Sequence, residues 1–167
     1  MTGFPDKRWG VENPRLQAYL VRFSSSRIGS ATLKAAAPLD GWLLRRSKGH
    51  YTTLGPFATP IMLLTATGAK SGLPRQTPLL YTRDGQSLIL VASNFGQEHH
   101  PAWSANLIAY PEVVVTMGGQ DVPARAELLE GGEAHAAFQL MADQVPTYAA
   151  YRDRTDRTLR VFRLTAR

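Results

Sequence analysis

The sequence predicts an α+β protein whose strands form a mainly antiparallel β-barrel with helices packed around it. Three observations support this prediction. Runs rich in apolar and β-branched residues recur after residue 60, the dipeptides Asp84-Gly85 and Gly118-Gly119 join neighbouring runs by tight turns, and helical patterns stand between others. Strands joined by tight turns are antiparallel, whereas a parallel sheet needs strands and helices in alternation.

Length and composition fit one compact domain. The chain has 167 residues, 44% of them apolar, and no cysteine, which excludes a disulfide scaffold, a thiol nucleophile and a cysteine-ligated metal. Residues 1–12 lack the apolar core of a secretory signal, and the uncharged run 51–69 holds too many Thr, Pro and Gly for a membrane span. We therefore expect a cytoplasmic protein.

The positive charge is concentrated at the beginning of the chain. Residues 1–50 carry nine basic and three acidic side chains, which accounts for the whole net charge of +6. The apolar run 42–44 directly precedes Arg45 and Arg46. This charge has three interpretations, here from most to least favoured: a solvated helix face, contact with an anionic membrane, and nucleic-acid binding. We expect no nucleic-acid partner. We predict a basic amphipathic helical segment over 1–50 and a barrel domain over 51–167.

The elements follow from local patterns. Asn13-Pro14 predicts a helix start, and Pro38 is predicted to break a second helical stretch into 30–37 and 39–46. Further patterns predict strands over 61–67, 74–83, 87–93, 113–115, 122–129 and 159–164, and helices over 101–109 and 133–145.

The segment 65–75 has the composition of an anion-binding loop. Gly68 and Gly72 allow tight backbone turns whose N–H groups can face an anion. The segment is not a Walker loop, because the spacing of its glycines and lysine differs and a strand follows it. An ordinary turn with solvated cations is an equally good interpretation. Three side chains add hydrogen-bond donors: Lys70, Ser71 and Arg75.

A second segment, 91–106, carries polar groups from a strand end into a helix start. Ser93 and Asn94 enter a Gly-containing loop that opens a helix, and helix N-termini favour anions. The run Glu98-His99-His100 does not predict a metal site, because three adjacent side chains do not converge from one regular element.

These two segments resemble the deazaflavin-dependent nitroreductase family of actinobacterial oxidoreductases. The family pattern Thr-x-Thr-Gly-x-Lys-[Ser/Thr]-Gly-x-Pro-Arg is matched by residues 65–75, and segments 146–151 and 155–158 are also similar. The likeness covers about residues 40 to 165. It implies a split β-barrel and an enzyme that transfers a hydride from reduced coenzyme F-420, an 8-hydroxy-5-deazaflavin, to a quinone, enone or nitro compound.

The resemblance also implies the site residues. Ser93, Tyr148 and Tyr151 are the expected catalytic residues, with Ser93 or Tyr148 polarising the acceptor and Tyr148 or solvent giving the proton. Trp103 as a core residue and Asn106 as a surface amide are simpler alternatives for those two positions. The expected cofactor-binding residues are Lys70, Ser71, Arg75, Gln76, Thr77, Pro78, Ala92, Ser93, Asn94, Trp103 and Asn106.

Four positions depart from the family pattern. Ala69 and Asn94 stand where some members carry Arg and Lys, and Leu80 and Val145 stand where some carry Tyr. The resemblance therefore implies a weaker grip on the cofactor's anionic tail and a more apolar wall facing the acceptor.

Two alternatives remain open from the sequence. One is an FMN-dependent oxidoreductase on the same barrel, and the other is a non-enzymatic module that binds the membrane surface. Work at the inner face of the cell membrane is compatible with catalysis, because quinones reside in lipid. The oligomeric state is not indicated.

Overall fold

The computed structural model describes residues 3–5, 27–47 and 60–167. Within these ranges seven strands form one sheet, four α-helices flank it, and a short 3-10 turn occupies Asn94–Gly96. The helices are α1 (Arg27–Arg46), α2 (Ala102–Ala109), α3 (Gly131–Gln144) and α4 (Thr147–Arg152). The strands are β1 (Ile61–Thr67), β2 (Pro74–Leu80), β3 (Thr82–Asp84), β4 (Ser87–Val91), β5 (Glu112–Met117), β6 (Gln120–Leu129) and β7 (Val161–Ala166).

The sheet is antiparallel throughout and curls back on itself. Its strand order is β2-β1-β5-β6-β7-β4-β3, so β2 and β3 are the two edge strands. Only Tyr81 separates these two strands in the chain, and its N–H donates to the Pro60 carbonyl at 3.0 Å. One residue spans at most about 3.6 Å, so the sheet has to curl until both edges meet. This geometry confirms the predicted barrel class.

Two apolar layers hold the sheet. Leu88, Leu90 and Ala92 face the barrel core, whereas the alternating Ile89 and Val91 pack in a second cluster with residues of α3. Both faces of β4 are thus buried, which explains why its sequence is a continuous apolar run and not an alternating one.

The strand registers place three long connections of the described residues at one end of the barrel. Thr67 pairs with Pro74, and both Leu129 and Val91 pair with Val161. We call this end the loop end. It carries the connections 68–73, 92–111 and 130–160, whereas the opposite end has the short turns at Gly85 and at Gly118-Gly119.

Most predicted elements are confirmed, with four corrections. The break at Pro38 is wrong: α1 continues through it, although an interior proline removes its own N–H bond and crowds the carbonyl four residues before. Burial of Gly41 and Leu44, in a helix that packs on the sheet, stabilises the turns that follow. The strand predicted over 74–83 is two strands divided at Tyr81. The last strand begins at Val161, two residues later than predicted, where its pairing with β6 begins. Helix α4 was not predicted, because six residues are too few to show a period.

The described part of the N-terminal region packs against the barrel. Phe4 lies in the barrel core and is 6% exposed, and its carbonyl accepts a hydrogen bond from Arg83 at 3.4 Å. Helix α1 packs on β1 and β2. The predicted helix start at Asn13-Pro14 lies outside the described residues, and the division at residue 50 stays a prediction. Among the described helices, none is long and apolar enough to cross a membrane.

Candidate active site

The β1-β2 connection is a closed loop shaped by two glycines. The Gly68 N–H donates to the Leu73 carbonyl at 2.9 Å, and the Gly72 N–H donates to the Gly68 carbonyl at 2.8 Å. Gly72 has a φ of 65°, a value that favours glycine. At Gly68 the requirement is space, since a Cβ there would lie 2.5 Å from Ser71 Oγ. The loop therefore has one shape that larger residues disturb.

This loop and the adjoining start of β2 present positive charge to solvent. Lys70, Ser71 and Arg75 are exposed, and an Arg75 terminal nitrogen donates to Ser71 Oγ at 3.5 Å. No carboxylate in the described part of the chain forms an ion pair with Lys70 or Arg75. Two cations and a hydroxyl without acidic neighbours suit an anionic group such as a phosphate or a carboxylate.

Asn106 and Trp103 of α2 support the loop end from within. Asn106 Oδ1 accepts the Ala69 N–H at 2.8 Å, which ties α2 to the cationic loop. Trp103 is 8% exposed, and its ring centroid lies 5.7 Å from that of Phe162 in the barrel core. Packing and positioning account for both residues, and their direct contact with a cofactor stays a prediction.

Three predicted cofactor-binding residues, Gln76, Thr77 and Pro78, lie on β2, the edge strand that follows the loop. Gln76 Nε2 donates to Thr65 Oγ1 of β1 at 3.3 Å, across the strand pair. Thr77 and Pro78 are half-buried. Pro78 has no N–H to donate, which suits an edge strand. Their roles toward the cofactor stay predictions.

The three predicted catalytic residues lie together beneath the loop end. Ser93 and Tyr148 are each 6% exposed and their hydroxyls are hydrogen-bonded, and the ring centroids of Tyr148 and Tyr151 are 5.9 Å apart. Burial raises the pKa of Tyr148 far above its ordinary value of about 10, and the neighbouring Tyr151 adds to this effect. The hydrogen bond from Ser93 acts in the opposite direction. Tyr148 therefore keeps its proton at neutral pH and can act as a hydrogen-bond donor.

A strained turn directly follows Ser93 and packs on Tyr151. Asn94 and Phe95 have φ values of 48° and 56°, in the left-handed region that costs a non-glycine residue about 1–3 kcal/mol. Asn94 Nδ2 donates to the His99 carbonyl at 3.0 Å, and the Phe95 ring packs edge-on against Tyr151 at 5.8 Å. Ala92, just before the turn, is fully buried in the barrel core.

Two residues of this site were missed by sequence reasoning. Phe95 gave no signal, because a lone aromatic in a loop has no pattern. Arg157 belongs to the similar segment 155–158, yet nothing in the sequence shows that it reaches the carbonyls after β4. Its guanidinium lies 3.0 Å from His100 Nδ1.

The loop end therefore carries both an exposed cationic loop and a buried pair of hydroxyls, with an aromatic turn packed beside the pair. A family model described as F-420H(2)-dependent quinone reductase matches residues 39–166. The chain belongs to this family. The resemblance to deazaflavin-dependent reductases is confirmed, and the protein is an oxidoreductase that uses coenzyme F-420. The alternative with FMN gains no support.

Relatives and solved structures agree with this assignment. An F-420H(2)-dependent quinone reductase of Mycobacterium tuberculosis is 36% identical over 128 residues, which cover 75% of this chain and 86% of that protein. A solved F-420-H2 dependent reductase is 40% identical, with a TM-score of 0.58 over 63% of this chain and 93% of its own. A second solved structure, described as a domain-swapped dimer, is 34% identical, with a TM-score of 0.60 over 76% and 98% of the two chains. The split-barrel prediction is thereby confirmed.

Proposed function

We propose that this protein reduces a quinone by hydride transfer from reduced coenzyme F-420. The observation that carries the proposal is that the cationic 68–75 segment and the Ser93–Tyr148 hydroxyl pair lie at the same end of the barrel. An anionic cofactor tail and a polar reacting centre both find matching groups there.

The residues present fit the cofactor by the chemistry of their donors. Lys70 and Arg75 would hold the anionic tail by charge, and Ser71 would add a hydroxyl donor. When bound, the reduced coenzyme supplies a hydride. The protein's own groups have to orient both reactants, exclude water and meet the charge that develops on the acceptor oxygen.

The buried hydroxyls suit the protonic half of the reaction. Reduction of a quinone to a hydroquinone takes two electrons and two protons, so a hydride must be accompanied by one further proton. Tyr148 holds its proton firmly at Oη and is hydrogen-bonded to Ser93. We propose that this pair donates a hydrogen bond toward the acceptor oxygen and that the second proton of the hydroquinone comes from solvent.

Cofactor binding provides the direct test. Purified protein is titrated with oxidised coenzyme F-420 and, separately, with FMN, following tryptophan fluorescence. We expect micromolar binding of the deazaflavin alone and about tenfold weaker binding in Lys70→Ala, a loss of about 1.4 kcal/mol. Arg125→Ala, which removes an exposed cation on β6, is the control and should bind normally. Binding of FMN alone would overturn the proposal.

Acceptor choice is tested in the same preparation. With reduced coenzyme, we expect menadione to be turned over faster than an enone or a nitroimidazole. Faster turnover of the nitro compound would assign a different acceptor to the same site.

We also propose that α1 docks on an anionic membrane, where lipid quinones reside. Gly41 and Leu44 are buried, whereas Leu39 and Trp42 are 53% and 54% exposed. Arg45 also lies on an exposed position of this last turn, as Arg46 does. An apolar ridge beside cations is the pattern of interfacial helices, and the cytoplasmic leaflet carries anionic lipid. We place the protein at the inner face of the cell membrane on this ground.

Flotation with liposomes tests this proposal. Wild-type protein should float with vesicles that contain anionic lipid at low salt, and Trp42→Ser should stay at the bottom. Leu128→Ser, at an exposed apolar position on β6, should float like the wild type. If the wild type floats at neither low nor high salt, the proposal that α1 docks on a membrane is wrong.

A further inference from the structure

Arg157 makes an unusual set of contacts for a half-buried arginine. Its Nε donates to the Gln97 carbonyl at 2.9 Å, and one terminal nitrogen donates to the carbonyls of Ala92 and Ser93 at 3.0 and 2.7 Å. Its other terminal nitrogen lies 3.0 Å from His100 Nδ1. No carboxylate of the described ranges pairs with it. One guanidinium therefore contacts a single segment, 92–100, through three backbone carbonyls and one imidazole ring.

This segment needs an external support. After β4 ends at Val91, three successive residues, Asn94, Phe95 and Gly96, take left-handed φ values of 48°, 56° and 74°. Two of them are not glycine, so the turn persists only where surrounding contacts hold it. The carbonyls of Ala92, Ser93 and Gln97 accept hydrogen bonds from Arg157, which lies in the connection between α4 and β7.

The turn is also packed closely on that connection. A Cβ on Gly96 would lie 2.9 Å from both Arg154 Cβ and the Tyr151 carbonyl. The chain after α4 thus carries the guanidinium and forms the surface on which the turn rests.

The contact reaches the reacting groups through Ser93. Its carbonyl accepts the 2.7 Å hydrogen bond from Arg157, and its side chain is hydrogen-bonded to Tyr148.

His100 adds a fourth contact to the guanidinium. The pKa of His100 is lowered, mainly by burial, which favours the neutral ring whose Nδ1 can accept a hydrogen bond from Arg157.

We propose that Arg157 is a positioning residue: by holding the carbonyls of Ala92, Ser93 and Gln97, it fixes the left-handed turn that sets the Ser93 hydroxyl against Tyr148. The claim that Arg157 supports catalysis rests on the proposed quinone reduction. The claim that Arg157 fixes the turn is independent of it.

Hydrogen exchange tests the structural half without cofactor. In Arg157→Lys, which keeps the charge but has a single donor nitrogen, the amides of Gly96 and Gln97 should exchange at least tenfold faster than in the wild type. These amides donate to the Ser93 and Asn94 carbonyls within the turn, at 3.0 Å each. Arg163→Lys is the matched control, because Arg163 is also half-buried but forms ion pairs with Asp84, Glu127 and Glu133, all of them outside segment 92–100. Unchanged exchange in Arg157→Lys would overturn the proposal.

A double-mutant cycle tests the catalytic half. With reduced coenzyme and menadione, Arg157→Lys should lower kcat at least tenfold in the wild-type background and less than threefold in the Ser93→Ala background, with coenzyme affinity changed less than twofold. Equal losses in both backgrounds would show a merely structural role and overturn the proposal. If Arg157→Lys fails to fold, Arg157→Gln, which keeps an amide donor, replaces it in both measurements. A wild type that reduces no quinone would overturn the proposed function, whereas the exchange result would still decide the role of Arg157 in the turn.

Discussion

At the scale of single residues, the site depends on which groups keep their protons. Tyr148 is buried with its hydroxyl hydrogen-bonded to Ser93, and burial raises its pKa further above neutral, so the phenol stays protonated and can donate a hydrogen bond. Replacing it with phenylalanine removes one hydroxyl and little volume. We expect Tyr148→Phe to lower kcat by about 10- to 100-fold while the affinity for oxidised coenzyme stays within about twofold.

The control for this prediction is Tyr110→Phe, which removes a hydroxyl from an exposed tyrosine after α2. Steady-state kinetics on both variants decide the matter. Equal kcat values for Tyr148→Phe and the wild type would show that the buried phenol takes no part.

His100 gives a second prediction, on stability against pH. Burial, then the charges of Arg160 and Arg157, lower the pKa of its imidazole below the usual value of about 6.5. Below pH 6.5 the unfolded chain therefore binds a proton that the folded protein still resists, and the free energy of unfolding falls as the pH falls. The loss levels off below the folded-state pKa.

Urea denaturation at about pH 5 and pH 7 measures this effect. Wild-type protein should lose more stability between these two values than His100→Gln does. His135→Gln, which alters an exposed residue of α3, should behave like the wild type. Identical pH slopes for the wild type and His100→Gln would contradict the assignment.

The sequence was informative about residue types at the site and silent about most of their contacts. The match at 65–75 placed Lys70 and Arg75 in one cationic segment. It gave no means to see that Asn106 uses its carbonyl to hold that loop, or that Ala92 is buried in the core. Such contacts link residues far apart in the chain, and no local pattern reports them.

At the scale of elements, the cationic loop depends on space at Gly68. An alanine Cβ there would meet Ser71 Oγ at 2.5 Å and the Leu73 carbonyl at 3.2 Å, so Gly68→Ala must displace the hydroxyl or open the loop. We expect coenzyme affinity to fall about tenfold in a fluorescence titration.

Gly132→Ala is the matched control for this prediction. Its added Cβ meets no atom within 4 Å, and the residue lies in the first turn of α3. Unaltered coenzyme binding in Gly68→Ala would mean that the shape of the loop does not matter for the anionic tail.

Elements whose bounds are set by neighbouring residues in the sequence were predictable. Elements whose bounds are set by pairing with a distant strand were not. Asp84-Gly85 and Gly118-Gly119 marked turns because glycine accepts the positive φ found at Gly85, Gly118 and Gly119. Helix α2 was marked by its proline start. The beginning of β7 was misplaced because the pairing partner, and not the apolar pattern, decides where that strand starts.

At the scale of the whole molecule, the barrel core includes a residue from near the start of the chain. Phe4 is 6% exposed among residues of the barrel interior. Phe4→Ala should therefore lower the free energy of unfolding by about 3 kcal/mol, by lost burial and a new cavity. Leu39→Ala, at a position that is 53% exposed, should change it by less than about 0.5 kcal/mol.

Chemical denaturation of both variants measures this difference. A change at Phe4 as small as that at Leu39 would show that the N-terminal residues contribute little to the stability of the barrel.

The antiparallel class was predictable because hairpin signals are local, but the strand order was not. Placing β7 between β6 and β4 requires pairing across more than seventy residues, as between Leu90 and Phe162. Hydrophobic patterns indicate which residues are buried, but they do not indicate which strands are neighbours in the sheet.

This placement of β7 determines when the barrel can form during synthesis. Every other strand leaves the ribosome before β7, as two pieces: the four-stranded sheet β2-β1-β5-β6 and the hairpin β3-β4. Each piece then exposes an unpaired edge, on β6 and on β4, of the kind that invites pairing with foreign strands. Both edges stay open until β7 pairs with them, and a chain that stalls before Val161 presents these edges to its neighbours.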